Sequence, residues 1–265
     1  MATDKTALGD RMKAYEHGFR AVLPRRQAMI CRLDGRAFHS YLRGATKPFD
    51  MGFIEDMGHV ATALCEEISG AVFAYHQSDE ISVLVQDYGS EHTEPWFGGV
   101  LQKVVSISAA VATSALSARR PGRPLFDARA FVLPNPVEVA NYFLWRQRDA
   151  VRNSISMAAQ ANFSHKQLQG VSSGGMQEML FAEAGINWDH YHVECRRGQV
   201  VVKASGEREV TYTDKRTQQE CTTTAYRTWW EVRPAPLFNL EPGGFLAQTI
   251  PPMPALAGAE EGGVS

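Results

Sequence analysis

Two acidic turns carry the chemistry that can be read from this chain. The first is the stretch Ile30-Cys31-Arg32-Leu33-Asp34-Gly35-Arg36-Ala37-Phe38, where an apolar, strand-like run stops on a carboxylate, a glycine and an arginine. The second is His76-Gln77-Ser78-Asp79-Glu80, a polar connection between two short β-rich runs at residues 71–75 and 81–85. Taken singly, each reads as punctuation, because Asp caps its own backbone and Gly accepts positive φ. Taken together, Asp34 and Asp79 are two carboxylates delivered to strand ends, and on neighbouring strands they repel unless a divalent cation sits between them. Magnesium suits such a pair: it takes oxygen ligands, keeps several waters and lets substrate phosphates complete its shell, and the Gly35 carbonyl offers a further oxygen. Two ions held this way activate an attacking hydroxyl and stabilise the leaving oxygen in phosphoryl transfer. The competing reading is an inert, solvated acidic hairpin. A triphosphate also needs positive charge, and Arg36, Lys47, Lys103 and Arg129 all fall on loops or element ends, where each also reads as an ordinary surface cation.

The elements that must position these residues follow from periodicity. Residues 8–22 place Met12, Tyr15, Phe19 and Val22 at helical spacing, which predicts an amphipathic helix ended by Pro24. A first strand covers 27–33, one or two helical turns cover 37–43, and 44–50 is loop by its Gly and Pro content. Asp50 can cap the next helix, in which Phe53, Met57, Val60, Leu64 and Ile68 keep the i, i+3, i+4 rhythm up to Gly70. The hairpin around Asp79 follows, then a helix over 100–116 with small residues suited to close packing, and a fourth strand over 126–133. The order β, α, β, β, α, β predicts a ferredoxin-like split βαβ fold of the α+β class, with four antiparallel strands carrying two helices on one face. In that order the first and third strands lie side by side, which brings Asp34 and Asp79 together.

Beyond Pro134-Asn135-Pro136, residues 137–163 read as helix and carry Tyr142, Trp145, Arg146, Arg148 and Arg152, arginines that either face RNA or form a solvated helix face. Residues 168–175 form a glycine and serine loop before a helix over 176–183; it lacks the Lys-Ser/Thr of a P-loop and reads mainly as a connector. Further strands are expected over 200–204, 207–213 and 222–232, and residues 251–265 are rich in Pro, Gly and Ala. Trp229-Trp230 is either a core or interface pair or a stacking platform for bases. The expected organisation is a catalytic core at 1–135 with added helices and a C-terminal β-rich extension at 136–265 packed on it as one unit.

Bulk composition is that of a globular protein: 265 residues, 44% hydrophobic, 21% charged, net charge -2, with no overall charge signal for nucleic acid. The four cysteines, Cys31, Cys65, Cys195 and Cys221, are scattered without the spacing of a zinc site, and are expected to be reduced. The first residues lack an apolar signal core and no run approaches about 18 apolar residues, so the expectation is a cytoplasmic protein with no membrane association.

Six co-linear segments, Arg32-Leu-Asp-Gly-Arg-Ala-Phe-His39, Lys47-Pro-Phe-Asp50, Tyr75-His-Gln-Ser-Asp-Glu-Ile-Ser82, Phe126-Asp-Ala-Arg129, Trp145-Arg-Gln-Arg-Asp149 and Leu168-Gln-Gly170, resemble the tRNA-His guanylyltransferase family and its relatives, the reverse (3′ to 5′) polymerases. The resemblance runs from about residue 8 to residue 190. It implies a polymerase-palm catalytic domain in which Asp34, the Gly35 carbonyl and Asp79 bind two magnesium ions. It also implies that Asp34, Gly35, Arg36, Ala37, Phe38, His39 and Ser78 hold a nucleotide, and that Lys47, Asp50, Lys103 and Arg129 contact triphosphates or the RNA 5′ end. The implied reaction activates a tRNA 5′ end with ATP, or uses an existing 5′ triphosphate, and adds GMP from GTP, or another nucleotide, by attack of the incoming 3′ hydroxyl. The implied assembly is a homotetramer, a dimer of dimers. Where eukaryotic members carry His-Ile-Asn-Asn and Lys-Asn-Glu, this chain has Val151-Arg152-Asn153-Ser154 and Met176-Gln177-Glu178. These departures point to the branch that repairs truncated tRNA 5′ ends against a template. Two rival readings stay open from sequence alone: a nucleotide cyclase on the same palm, and an RNA-binding protein that has lost catalysis.

Overall fold

The computed structural model describes residues 6–254. The elements run α1 (Ala7–His17), β1 (Ala28–Gly35), α2 (Phe38–Tyr41), α3 (Met51–Glu67), β2 (Ala71–Gln77), β3 (Glu80–Val85), α4 (Leu101–Ser117), β4 (Phe126–Leu133), α5 (Pro136–Asn162), α6 (His165–Leu168), α7 (Ser173–Ala184), α8 (Val193–Arg197), β5 (Gln199–Thr213), β6 (Glu220–Pro234) and α9 (Phe245–Thr249). They build one six-stranded sheet in the order β4-β1-β3-β2-β5-β6, with every neighbouring pair antiparallel. The first four strands have the split βαβ order, so the fold is α+β with a palm-like core.

Strand alternation sorts the sheet into two faces. Cys31, Leu33, Ile81 and Val83 lie in the core cluster shared with Phe53, Met57, Val60 and Leu64 of α3 and Val104, Ala112 and Leu116 of α4. Ile30, Phe73, Tyr75, Leu84 and Val200 lie in a second cluster with Val139, Tyr142 and Phe143 of α5. The C-terminal segment seals that second layer: Phe238 and Leu246 are buried in it, and the Gln147 side chain donates to the Pro236 carbonyl and accepts from the Phe238 N–H. Capping also follows the sequence. Asp50 accepts from the Phe53 N–H at 2.8 Å, and Asn135 caps the helix opened by Pro136.

Several expectations are corrected. The first helix stops at His17 and buries none of its residues; Met12, Tyr15, Phe19 and Val22 stay exposed within one chain, and Val22 instead bridges to Val100. The hairpin connection is two residues, Ser78 and Asp79, because His76, Gln77 and Glu80 pair within the strands. The runs predicted at 200–204 and 207–213 are one continuous strand, because Ser205 and Gly206 pair with Thr228 and Arg227 in the ladder to β6. The helix expected at 176–183 starts at Ser173, where the Ser172 hydroxyl accepts from the Gly175 N–H, and Leu168 ends α6 rather than opening a loop. On α5, Arg148 and Arg152 are exposed, but Arg146 is buried rather than on a solvated face. Trp229 and Trp230 are half-buried under cations, Arg208 at 3.5 Å and Lys203 at 5.1 Å from the ring centres. The four cysteines are free. No described helix is long and apolar enough to cross a membrane. The expectations for residues 1–5 and for most of the 251–265 tail lie outside the described residues.

Candidate active site

β1 is apolar up to Leu33 and then emerges at the sheet end as Asp34-Gly35. In register, Asp34 faces Glu80 of β3 on one side and Asp127 of β4 on the other. The β2–β3 turn folds back onto the same end: the Gly35 N–H donates to the Asp79 carbonyl at 3.1 Å, which stitches the two acidic turns directly to each other. Gly35 is required by contact rather than by φ. A Cβ there would lie 2.5 Å from the Phe38 ring, which is buried under the turn against Tyr41, Phe53 and Phe126.

Among the described residues, these two carboxylates stand apart from the ion-paired acids around them. The ion pairs of this region go to Glu80, Asp127, Asp149 and Asp50, and leave Asp34 and Asp79 out. The Ser78 hydroxyl donates to Asp79 at 3.2 Å, from a residue held in the left-handed region at φ 53. Burial, and then the nearby Asp34 charge, push the Asp79 carboxyl above the ordinary carboxylate range. A half-buried anion beside a second anion is a strained arrangement that a hard cation relieves. The described residues contain no group of three or more His, Cys, Asp or Glu placed to hold a metal. A cation here would therefore depend on two carboxylates, backbone oxygen and oxygens brought by a substrate, which is the donor set magnesium favours.

Glu80 and Arg146 are the residues sequence reasoning did not assign. Arg146 donates from Nε and Nη2 to the two Glu80 oxygens at 2.6 Å each, and Arg32 pairs with the same carboxylate. Arg146 also reaches Asp149 at 3.1 Å and stacks on Trp145 at 4.5 Å. The Arg152 hydrogen bond, aided by Arg146, holds the Asp149 carboxyl below its usual range. Beside this network a polar cleft of about 450 Å³ opens between the sheet end and α5, lined by Arg32, Asp34, Ser78, Asp79, Asp149, Asn153 and Gln160 among others.

A second, more apolar cavity of about 340 Å³ adjoins the cleft and shares Gln77, Ser78, Met157 and Gln160 with it. His39, Lys47 and Asp50 line it, with Phe49, Phe53, Glu194 and Cys195. Phe49 packs edge-on against Tyr191 at 5.0 Å, which ties the Lys47 loop to the α7–α8 layer. Burial opposes ionisation of Asp50, but the Phe53 N–H and the Arg120 guanidinium outweigh it and hold that carboxyl below its usual range. Asp50 is thus a helix cap held by Arg120 as well as a wall of the cavity. Arg36 is exposed, with its N–H bonded to the Leu125 carbonyl, and Ala37 at φ 56 caps α2. Arg129 is exposed beside Asp127 at 3.5 Å and in register with Arg32.

Lys103 is the one predicted residue that a single chain does not bring to this end. It lies in the first turn of α4, 6.0 Å from the Phe97 ring, next to the Val22–Val100 bridge where β1 begins rather than ends. Of the segment where the chain departs from the eukaryotic pattern, Asn153 lines the cleft, Arg152 pairs with Asp149, and the buried Ser154 hydroxyl donates to the Val151 and Arg196 carbonyls.

This arrangement matches known proteins along most of its length. A family model described as tRNAHis guanylyltransferase matches residues 9–134. A solved bacterial tRNA(His) guanylyltransferase-like protein in complex with ATP is similar to this chain at 39% identity and a TM-score of 0.79, covering 92% of this chain and 99% of that one. A second such structure, in complex with GTP, is 39% identical with a TM-score of 0.71 and covers 88% and 94% of the two chains. The tRNA(His) guanylyltransferase of Schizosaccharomyces pombe is 28% identical over 208 residues, 71% of this chain and 78% of its own length. With the split βαβ core, the paired acidic turns and this coverage, the chain belongs to the tRNA(His) guanylyltransferase family of nucleotidyltransferases.

Proposed function

We propose that the protein is a magnesium-dependent nucleotidyltransferase that adds GMP from GTP, or a templated nucleotide, in the 3′–5′ direction to the 5′ end of tRNA. The observation that carries this reading is the pair Asp34 and Asp79, joined through the Gly35–Asp79 backbone bond at the mouth of a cleft, with no ion-pair partner among the described residues. Magnesium, when bound by these two carboxylates and the Gly35 carbonyl, supplies charge neutralisation and activation of an attacking hydroxyl. Arg36 and Arg129, both exposed, and Lys47, on the cavity wall, offset the negative charge of the phosphates. His39, Phe38, Ala37 and Ser78 shape the nucleotide-holding turn, and the apolar cavity beyond Ser78 has the size for a nucleoside. Lys103 is left out of this set for a single chain. The similar proteins solved with ATP and with GTP support both nucleotides as substrates. Template-dependent repair is favoured over strict tRNA-His selection by Val151, Arg152 and Ser154, none of which reproduces the His-Ile-Asn-Asn pattern. We also infer a homotetramer and a cytoplasmic location; the exposed apolar residues Leu8, Met12 and Tyr15 of α1 support association between chains.

The test is incubation with full-length and 5′-truncated tRNAs, each nucleoside triphosphate and magnesium, with products sized on a gel. Extension of truncated tRNA at its 5′ end is the expected result. A cyclic product formed without RNA, or RNA binding that is equal in EDTA with no product at all, overturns the reading.

A further inference from the structure

Glu80 is the acid next to the Asp34 and Asp79 pair in sequence and in register, yet among the described residues the three carboxylates are not gathered into one metal-binding group. It follows Asp79 directly, and its register position opposite Asp34 puts both side chains on the same face of the sheet. Asp34, Asp79 and Glu80 would then crowd three negative charges at one strand end. Arg146 removes one of them: its fork takes both Glu80 oxygens at 2.6 Å, and Arg32 closes the same carboxylate from β1. The pair is largely out of water, with 8% of the Arg146 side chain and 13% of the Glu80 side chain exposed, so the lock is not the loose surface contact that solvent weakens. Asp149 at 3.1 Å and the Trp145 ring at 4.5 Å hold the guanidinium in place from α5.

We propose that Arg146 is a positioning residue that withholds Glu80 from the cations held at Asp34 and Asp79, so that the site has two carboxylate ligands rather than three. The inference rests on the metal reading above. A two-carboxylate site leaves coordination positions for phosphate oxygens and keeps cation binding weak enough to depend on the incoming triphosphate, whereas a third carboxylate would fill a position and hold the ion without substrate. Arg146 acts through Glu80 and need not touch the nucleotide.

The experiment measures Mn2+ binding to the full chain by electron paramagnetic resonance, without nucleotide or turnover. Asp34→Asn comes first: if it binds Mn2+ as the wild type does, the metal reading itself fails. If Asp34→Asn loses the ion, Arg146→Met is expected to bind Mn2+ more tightly by about tenfold, the scale of one added negative charge acting on a dication about 6 Å away through water-like screening. Its turnover is expected to fall while the KM for GTP changes little, which separates positioning from phosphate binding. The double variant Glu80→Gln with Arg146→Met removes both charges, a neutral exchange that buried pairs often tolerate, and is expected to return Mn2+ binding to within about threefold of wild type. Unchanged or weaker binding in folded Arg146→Met overturns the proposal. If that variant does not fold, the double variant decides: loss of Mn2+ binding there would make Glu80 a ligand and overturn the proposal as well.

Discussion

Gly35→Ala is the smallest change that strikes both the fold and the site. The added methyl carbon would lie 2.5, 2.6 and 2.7 Å from three carbons of the Phe38 ring, against an ordinary carbon–carbon contact of about 3.5–4.0 Å. The ring must therefore retreat by about 1 Å. It is only 3% exposed and is boxed in by Tyr41 at 5.0 Å, Phe126 at 5.1 Å and Phe53 at 6.1 Å between ring centres, so it has no solvent side to retreat into. Overpacking of this kind costs about 1–3 kcal/mol. For a chain of this size that is a fall in Tm of about 2–10 °C, read by differential scanning calorimetry. The alternative relaxation is movement of the turn itself, which would stretch the 3.1 Å bond from the Gly35 N–H to the Asp79 carbonyl and separate the two carboxylates. A displacement of about 1 Å at reacting groups costs about a hundredfold in rate, so nucleotide addition should fall by about that factor. Adding Phe38→Leu to Gly35→Ala makes room and should recover most of the Tm. A Gly35→Ala variant with wild-type Tm and wild-type addition would refute the packing argument.

Three further outcomes follow from buried or cavity-lining charge. Burial lowers the His76 pKa from 6.5 to about 4, with the Gln199 bond opposing only part of the shift. A depressed histidine favours the fold above pH 6.5, and that contribution is lost as pH falls toward about 4, so the wild type should lose about 3 kcal/mol across that window and its Tm advantage over His76→Asn should narrow. Asp56, 8% exposed, is bonded by Arg119 at 2.6 Å and Arg120 at 2.5 Å; Asp56→Ala takes the shared carboxylate away and leaves Arg120 to Asp50 and Arg119 to the more distant Glu55, so it should cost about 1–3 kcal/mol, measured by urea unfolding. Lys47→Ala should raise the KM for GTP while leaving Tm unchanged, because Lys47 is exposed and lines the second cavity without an ion-pair partner of its own among the described residues.

The core was legible because its signals are local. The periodicity of Phe53, Met57, Val60 and Leu64, the Asp50 cap and the apolar run into Asp34 are each contained within one element, and the strand order then placed Asp79 beside Asp34. What escaped depends on residues far apart in sequence or on which end of an element a residue occupies. Glu80 and Arg146 are 66 positions apart, and an arginine on an amphipathic helix looks the same whether it meets water or a carboxylate. The available signal was the crowding itself: a third acid directly after Asp79 is stabilised by a cation brought from elsewhere in the chain. Lys103 opens a helix, as expected, but only the packing of α4 shows that this is the distal end. The gap left between 204 and 207 closes only through pairing with β6, more than 20 residues further along the chain. In α1 the apolar spacing predicted a buried face that a single chain does not bury.

The central claim is that Asp34 and Asp79 together make the reacting centre. It is tested most directly by Asp79→Asn, which keeps the shape of the turn and removes the charge. The measurement is incorporation of labelled GTP into 5′-truncated tRNA with magnesium, alongside Tm. Because Asp79 is a half-buried anion beside Asp34, neutralising it should leave Tm unchanged or raise it, while addition falls by more than about a hundredfold. Addition within a few fold of the wild type, in a variant of unchanged Tm, would contradict the account.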